Sequence, residues 1–407
     1  MDPPSGVPQP KAILRGHNAQ VHAATFIRDN ERLVTADAEG YLIVWDLTIM
    51  RAKAVWRAHQ KTVLGVQEWG PNKLITHGRD HELIVWKFGA QDESSLSQIP
   101  PLDSVTDDRP KPWTQHVLPV NSMNFCAFSM ASCKAGQSIA DSPEVLIAAA
   151  NPTILEGVDI YHLPSQHRIH TLKPLPSAGM PMAVSLFHLD SSLHLITAYE
   201  NGAVVLLRAN LHAGEWIPLY KSQAHSQPIL SFDVSPCFTH FITSGADAII
   251  AKHPIPAANH VRGPQHAQDT PMKTVNTKHA GQQGLRIRSD GSIFATAGWD
   301  SKVRVYSAKS LKEVAVLKWH KSGCYVTSFA SLHATQAIDA SLQPADVSGD
   351  AKGTAAVSRT SGDAVTGAQI TSPAFFDVKA RRINHAKTAH WIAAGSKDGK
   401  VSLWDIY

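Results

Sequence analysis

Short apolar runs recur along the chain, each bounded by Gly, Asp, Asn or Ser: YLIVW, KLIT, ELIVW, EVLIAA, HLIT, HFIT, SIFATA and VSLW. They are too short for helices and rich in β-branched residues, which predicts strands closed by tight turns. Several are apolar at every position instead of alternating, as in strands covered on both faces. Two stretches show the unit most fully: LRGHNAQVHAATF with RLVTADAEGYLIVWDL, running to Leu47, and WRAHQKTVLGVQEW with KLITHGRDHELIVWKF, running to Phe88. Each reads as His in a loop, an apolar first strand, a second strand with Thr, an acidic turn, and a third strand ending in Trp.

The repeat is regular enough to number. The acid lies six positions before the closing aromatic in Glu39/Trp45, Asp80/Trp86, Asp300/Tyr306 and Asp398/Trp404, and a Thr lies four before the acid at Thr35, Thr76 and Thr296. Weaker copies place Thr243, Asp247 and His253, then Thr197, Asn201 and Leu207, in the same slots, and Tyr161 closes another. His17, His59, His116, His225 and His320 each stand four residues before the start of a first strand, and His279 fits loosely. The closing positions are then 45, 86, 161, 207, 253, 306 and 404, which makes seven units.

From Trp45 to Trp86 is 41 positions, the period of one four-stranded WD40 blade, about 40–45 residues. The expected fold is therefore all-β: a single seven-bladed WD40 β-propeller over residues 1–407. KAILRGH supplies a fourth strand with no blade before it, and VSLWDIY a third strand with none after it. Pairing these two ends closes the ring and removes two exposed edges.

The recurring polar residues read as scaffold. Indole, hydroxyl, imidazole and carboxylate can form one buried hydrogen-bonded chain, and breaking such a chain costs about 1–3 kcal/mol per orphaned group. The expected tetrads are His17, Thr35, Glu39 and Trp45, and His59, Thr76, Asp80 and Trp86, with Thr296, Asp300 and Tyr306, and Asp398 and Trp404, as partial copies. A hydrolase triad needs one such constellation, not one per blade.

Four stretches break the period: 89–115, rich in Pro, Ser and Asp; 131–142; 257–271; and 333–372, rich in Ala, Ser, Thr and Gly. All are expected as loops, 89–115 as a mobile one from its Pro, Ser and Asp, and 333–372 as dispensable for folding, since it has few large apolar residues to bury. The last falls between the first and second strands of the final blade.

Composition narrows the function. A net charge of +4 is small for 407 residues and argues against direct nucleic-acid binding. The four cysteines form no CxxC pair, so no zinc site is expected. No G-x-S-x-G, H-E-x-x-H or Walker A sequence occurs, and Gly395–Lys400 (GSKDGK) has the wrong spacing for phosphate. The start lacks an apolar leader, no run reaches membrane-spanning length, and the tract Val378–Arg382 is a poor localisation signal. The reading is a protein of nucleus or cytoplasm, not an enzyme, with no catalytic, metal or cofactor-binding residues. Scaffolding is weighed against a propeller that binds a small molecule or a histone tail at its channel. The residue before each turn acid should sit at one channel mouth: Ala38, Arg79, Ala246, Trp299 and Lys397. Of these, Arg79, Trp299 and Lys397 are the candidate partner-binding residues, Arg and Trp being types enriched at hot spots.

Beyond the repeat, ITHGRD at 75–80, VNSMNFCAF at 120–128, VDIYHLPSQHRI and the ending AAGSKDGKVSLWDIY resemble the fungal WD-repeat subunit family of the ASTRA complex, over nearly the whole chain outside the insertions. The resemblance implies a nuclear, non-catalytic scaffold linked to chromatin remodelling. It also implies partners: the co-chaperone trimer that matures PI3-kinase-like kinases, the AAA+ ATPases pontin and reptin, and a kinase-like transcription cofactor. It assigns nothing to 89–115 or 333–372.

Overall fold

A computed structural model describes residues 8–103, 108–120, 125–210, 214–256, 269–332 and 374–406. They form seven four-stranded antiparallel sheets arranged as a seven-bladed propeller. Six sheets are built from consecutive strands, beginning at Val21, Val63, Ser129, Pro181, Ile229 and Gln282. The seventh takes Cys324–Phe329, Trp391–Ser396 and Lys400–Asp405, and is completed by Ala12–Arg15 from the other end of the chain. The closing pair runs from Ala12 opposite Leu403 to Arg15 opposite Lys400.

Burial follows strand position. Second and third strands such as Lys73–Gly78 and Tyr41–Asp46 are buried at nearly every residue, because a neighbouring blade covers each face. Outer strands such as His167–Leu172 are mostly exposed. The core is thus a set of interblade layers. Between the first two blades, Trp56 packs edge-on against Trp86 at 6.3 Å and against Phe88 at 5.3 Å. Blades also interlock through glycine. Gly399 has φ +76°, and a Cβ there would lie 2.3 Å from the His17 carbonyl of the next blade. Gly40 and the His59 carbonyl repeat the arrangement one blade on.

The structure corrects the expectation of a mobile loop over 89–115. Short 3-10 turns span Ala90–Ser95 and Pro101–Asp103, and the outer strand of the second blade begins at Trp113. Arg28 and Arg32 are largely buried beside the first blade and need a counter-charge. Buried Glu93 supplies it, accepting from Arg28 and, at 3.0 and 3.2 Å, from Arg32. Leu96 joins the Trp56 layer, and the Ser97 carbonyl accepts from the Val55 N–H. Within 131–142, Ser129–Ser132 is a strand and Ile139–Asp141 a single 3-10 turn. Residues 257–268 and 333–372 lie outside the described residues.

A helix that the repeat did not foretell spans Ala374–Thr388 in the last blade. Ala386 is fully buried, its carbonyl accepts from the Trp391 indole, and Lys387 pairs with Glu31 at 2.9 Å. Among the described residues no helix is long and apolar enough to cross a membrane.

Candidate docking surface at the channel mouth

The buried polar chains set the geometry of one face. In the second blade the Trp86 indole donates to Thr76 Oγ1 at 2.9 Å, Thr76 donates to His59 Nε2 at 2.7 Å, and His59 Nδ1 donates to Asp80 at 2.9 Å. The fifth blade uses His253 for the indole: His253 and His225 flank Thr243, and His225 holds Asp247. Each acid also ties down loop backbone, as when Asp80 accepts from the Gln60 N–H. With both imidazole nitrogens engaged and the Thr hydroxyls fully buried, these units offer no nucleophile to solvent.

Four expected placements are corrected. In the first blade the acid is Asp37, not Glu39. His17 Nδ1 bonds Asp37 at 2.7 Å, and Asp37 accepts from the backbone N–H of Glu39 and Tyr41. Asp37 ends a buried strand and points inward, whereas Glu39 stands in the turn. In the sixth blade Gln282 fills the histidine slot, accepting from Thr296 at 2.7 Å and Tyr306 at 3.1 Å, which frees Asp300 to bind Arg304 at 2.6 Å. His279 meets these residues through its backbone, its carbonyl accepting from Thr277 and Gln282 and its N–H donating to Thr277. In the seventh, Ser402 bridges His320 and Trp404 at 2.8 Å each, and Asp398 pairs with Lys400 instead. His116 falls in an outer strand, away from any tetrad.

The five turn residues expected at the mouth share one backbone device. Ala38, Arg79, Ala246, Trp299 and Lys397 each donate an N–H to the loop before the first strand of their own blade: to Gln20, Thr62, Pro228, Gly281 and Gly323, at 2.8–3.0 Å. All therefore stand on the same face.

The channel is lined by first-strand residues from every blade. Those strands carry a register irregularity near their start in six blades. It skips His22, Leu64, Met182, Leu230 and Tyr325 in five, and Gly284 and Leu285 in the sixth. A bulge turns the skipped side chain out of the sheet's alternation, and His22, Leu64, Met182, Leu230 and Tyr325 all face the channel. Here they build an aromatic cluster. His22 stacks on Tyr325 at 5.1 Å, nearly parallel, and on Phe125 at 6.0 Å. The Arg79 guanidinium lies over Phe125, 4.6 Å from its centre. Burial lowers the His22 pKa to about 4, with Arg79 adding to it and Asp37 opposing, so the ring is neutral. Trp299 lies across Gly281, where a Cβ would meet its ring at 2.2 Å, and donates its indole N–H to Gln283 at 3.0 Å. Phe125 and Trp299 remain 49% and 47% exposed, enough for a partner to cover. Beside Arg79, a groove is lined by Ala38, Glu39, Arg57, Lys61, Thr62 and His81.

The structure thus joins Arg79 to a cluster and seats Trp299 on the channel residue Gln283, while Lys397 is exposed on the same face. The repeat pattern did not point to Phe125, His22 or Tyr325. Each of the last two follows the first apolar residue of its strand, and only the bulge redirects it.

The family model described as "WD domain, G-beta repeat" matches residues 8–46, 271–307 and 380–405. Among curated proteins, ASTRA-associated protein 1 of Verticillium alfalfae is 48% identical, over 98% of this chain and 93% of its own. The protein of that name from Pyricularia oryzae is 43% identical over 99% and 98%, and that from Schizosaccharomyces pombe 34% identical over 79% and 94%. With these relatives and a seven-bladed WD40 propeller, the chain belongs to the ASTRA-associated protein 1 family.

Proposed function

We propose that this protein is a non-catalytic scaffold subunit of the ASTRA complex and docks protein partners at the channel mouth. The observation that carries the reading is the Arg79–Phe125–His22–Tyr325 stack, with Trp299 on the same mouth. Arg79 and Trp299 stand on hydrogen-bonded turns and His22 and Tyr325 in paired strands, so little entropy is lost when a partner covers them, and Arg and Trp are frequent hot-spot residues. Arg57, Lys61 and Arg79 outnumber Glu39 along the adjoining groove, which favours an acidic segment over a basic histone tail. The family's name supports membership of ASTRA. The finer assignment follows from the resemblance: the co-chaperone trimer for PI3-kinase-like kinases, pontin and reptin, and the kinase-like transcription cofactor as partners, with a nuclear role in chromatin remodelling.

The test is capture of the co-chaperone trimer by wild type and by Arg79→Ala, Trp299→Ala and the double variant, with circular dichroism reporting the fold. Loss of capture by a folded double variant supports this mouth. Full capture by it moves the interface to the opposite face, the outer strands or the insertions.

A further inference from the structure

We propose that Cys133, Glu144 and His162 form a zinc site on the face of the third blade opposite the channel mouth. Their donor atoms, Sγ, a carboxylate oxygen and an imidazole nitrogen, all lie within 4.8 Å of one another. Strand register explains why they meet. Ser132 pairs with Val145, so Cys133 and Glu144 face each other one step beyond the paired strands. Glu144 shares a sheet face with Leu146, two residues on, and Leu146 pairs with His162. His162 in turn pairs with His167 of the outer strand, which puts a further imidazole on the same face.

The imidazole is already oriented. His162 Nδ1 lies 2.7 Å from Ser165 Oγ, and because that hydroxyl's one proton goes to the His162 carbonyl at 3.3 Å, Nδ1 is the donor and Nε2 the unprotonated nitrogen. It points at Glu144 Oε2 from 3.8 Å, too far for a hydrogen bond. A hydrogen bond that fixes the tautomer from behind is the usual second layer of a metal-bound histidine. Tetrahedral zinc, with bonds of about 2.0–2.3 Å, sets its N and O donors about 3.4 Å apart and its S and N donors about 3.6 Å apart. The three groups need close by only about 1 Å to reach that geometry. One thiolate, one imidazole and one carboxylate suit zinc, whereas calcium and magnesium take oxygen alone. Water, His167 or a partner's side chain can fill the fourth position.

Burial and the nearby Glu144 carboxylate raise the Cys133 pKa, which a bound cation would reverse. The second acid–histidine cluster, His59 with Asp80 and Glu82, is not equivalent, because both His59 nitrogens are engaged in the buried chain.

The site would have a structural use. Cys133 and Glu144 are the two ends of the 133–144 loop, which meets the second blade where the Trp69 indole donates to the Ser142 carbonyl at 2.8 Å. A metal across these ends would pin the loop and raise the melting temperature by mass action.

The experiment is calorimetric titration of the chelator-treated full chain with Zn2+, repeated with Co2+ followed by absorption. Wild type should bind one equivalent and show a thiolate-to-cobalt charge-transfer band. Cys133→Ser and His162→Ala should each bind at least tenfold more weakly, the serine variant without the band, and Ser165→Ala about tenfold more weakly. Melting of the metal-free variants controls for folding. No saturable binding by wild type, or wild-type affinity and band in Cys133→Ser, overturns the proposal. Neither result bears on the channel mouth, where none of these residues lies.

Discussion

His17 Nδ1 lies 2.7 Å from Asp37 Oδ2, and neither side chain is exposed to solvent. Asp37 also accepts the N–H groups of Glu39 and Tyr41, so one carboxylate holds the histidine and the turn together. Asp37→Ala should therefore destabilise the protein by about 3 kcal/mol, since it orphans several buried donors. Glu39→Ala should stay within about 0.5 kcal/mol of wild type, as a turn substitution outside that network. Urea unfolding of the two variants decides the matter, and a larger loss at Glu39 would restore the acid spacing seen in the second blade.

Two glycines with the same backbone angle separate strain from steric exclusion. Gly399 has φ +76° and Gly136 φ +77°, but a Cβ at Gly399 would strike the His17 carbonyl, whereas nothing lies within 4 Å at Gly136. Gly136→Ala should cost only the left-handed penalty, about 1–2 kcal/mol. Gly399→Ala should add about 1–3 kcal/mol by forcing the last and first blades apart. Equal losses in thermal unfolding would show that this contact does not limit ring closure.

Glu93 tests the packed part of the 89–115 insertion. It faces Arg28 and Arg32 with almost no exposure, so Glu93→Ala takes the ion-pair partner from largely buried Arg28 and leaves Arg32 only its pairing with Asp46 at 3.4 Å. The expected loss is about 3–5 kcal/mol. Increased protease cleavage within 89–103 of the variant should accompany it. An unchanged denaturation midpoint would make the segment an ornament on the propeller.

Acid should weaken the fold well above the usual carboxylate range. Burial lowers the pKa of His22, His240 and His320 to about 4 and that of His253 to about 3, the last with help from His225. Each is neutral in the folded protein and protonates near 6.5 once unfolded. The stability each contributes is therefore complete above about pH 6.5 and lost progressively as pH falls towards 4, by at most about 1.4 kcal/mol per pH unit per proton. Carboxylates act later. Burial opposes ionisation of Asp290, but bonds from Arg288 and Ser292 outweigh it and hold the group at about 2, so its share is intact above about pH 4. Denaturation midpoints between about pH 7 and 5 should fall steadily, and a flat profile would contradict neutral burial of these histidines.

The sequence by itself determined the blade period, the seven closing positions, the strand exchange that closes the ring and the face on which Arg79, Trp299 and Lys397 stand. Each rests on local chemistry repeated at constant spacing: a strand needs only its own apolar run, and a turn only its own residues. Tertiary structure alone decided what depends on neighbours distant in the chain. Asp37 displaces Glu39 because only the inward-facing residue reaches His17. Gln282 takes a histidine's slot because an amide can accept two buried hydroxyl donors. Glu93 orders a Pro/Ser-rich segment because two arginines beside the first blade need a counter-charge, and helix 374–388 is seen only once Trp391 and Glu31 receive it. The channel cluster was hidden for the same reason. Phe125, His22 and Tyr325 come from three different blades, and bulges visible only in the paired strands turn the last two towards the channel.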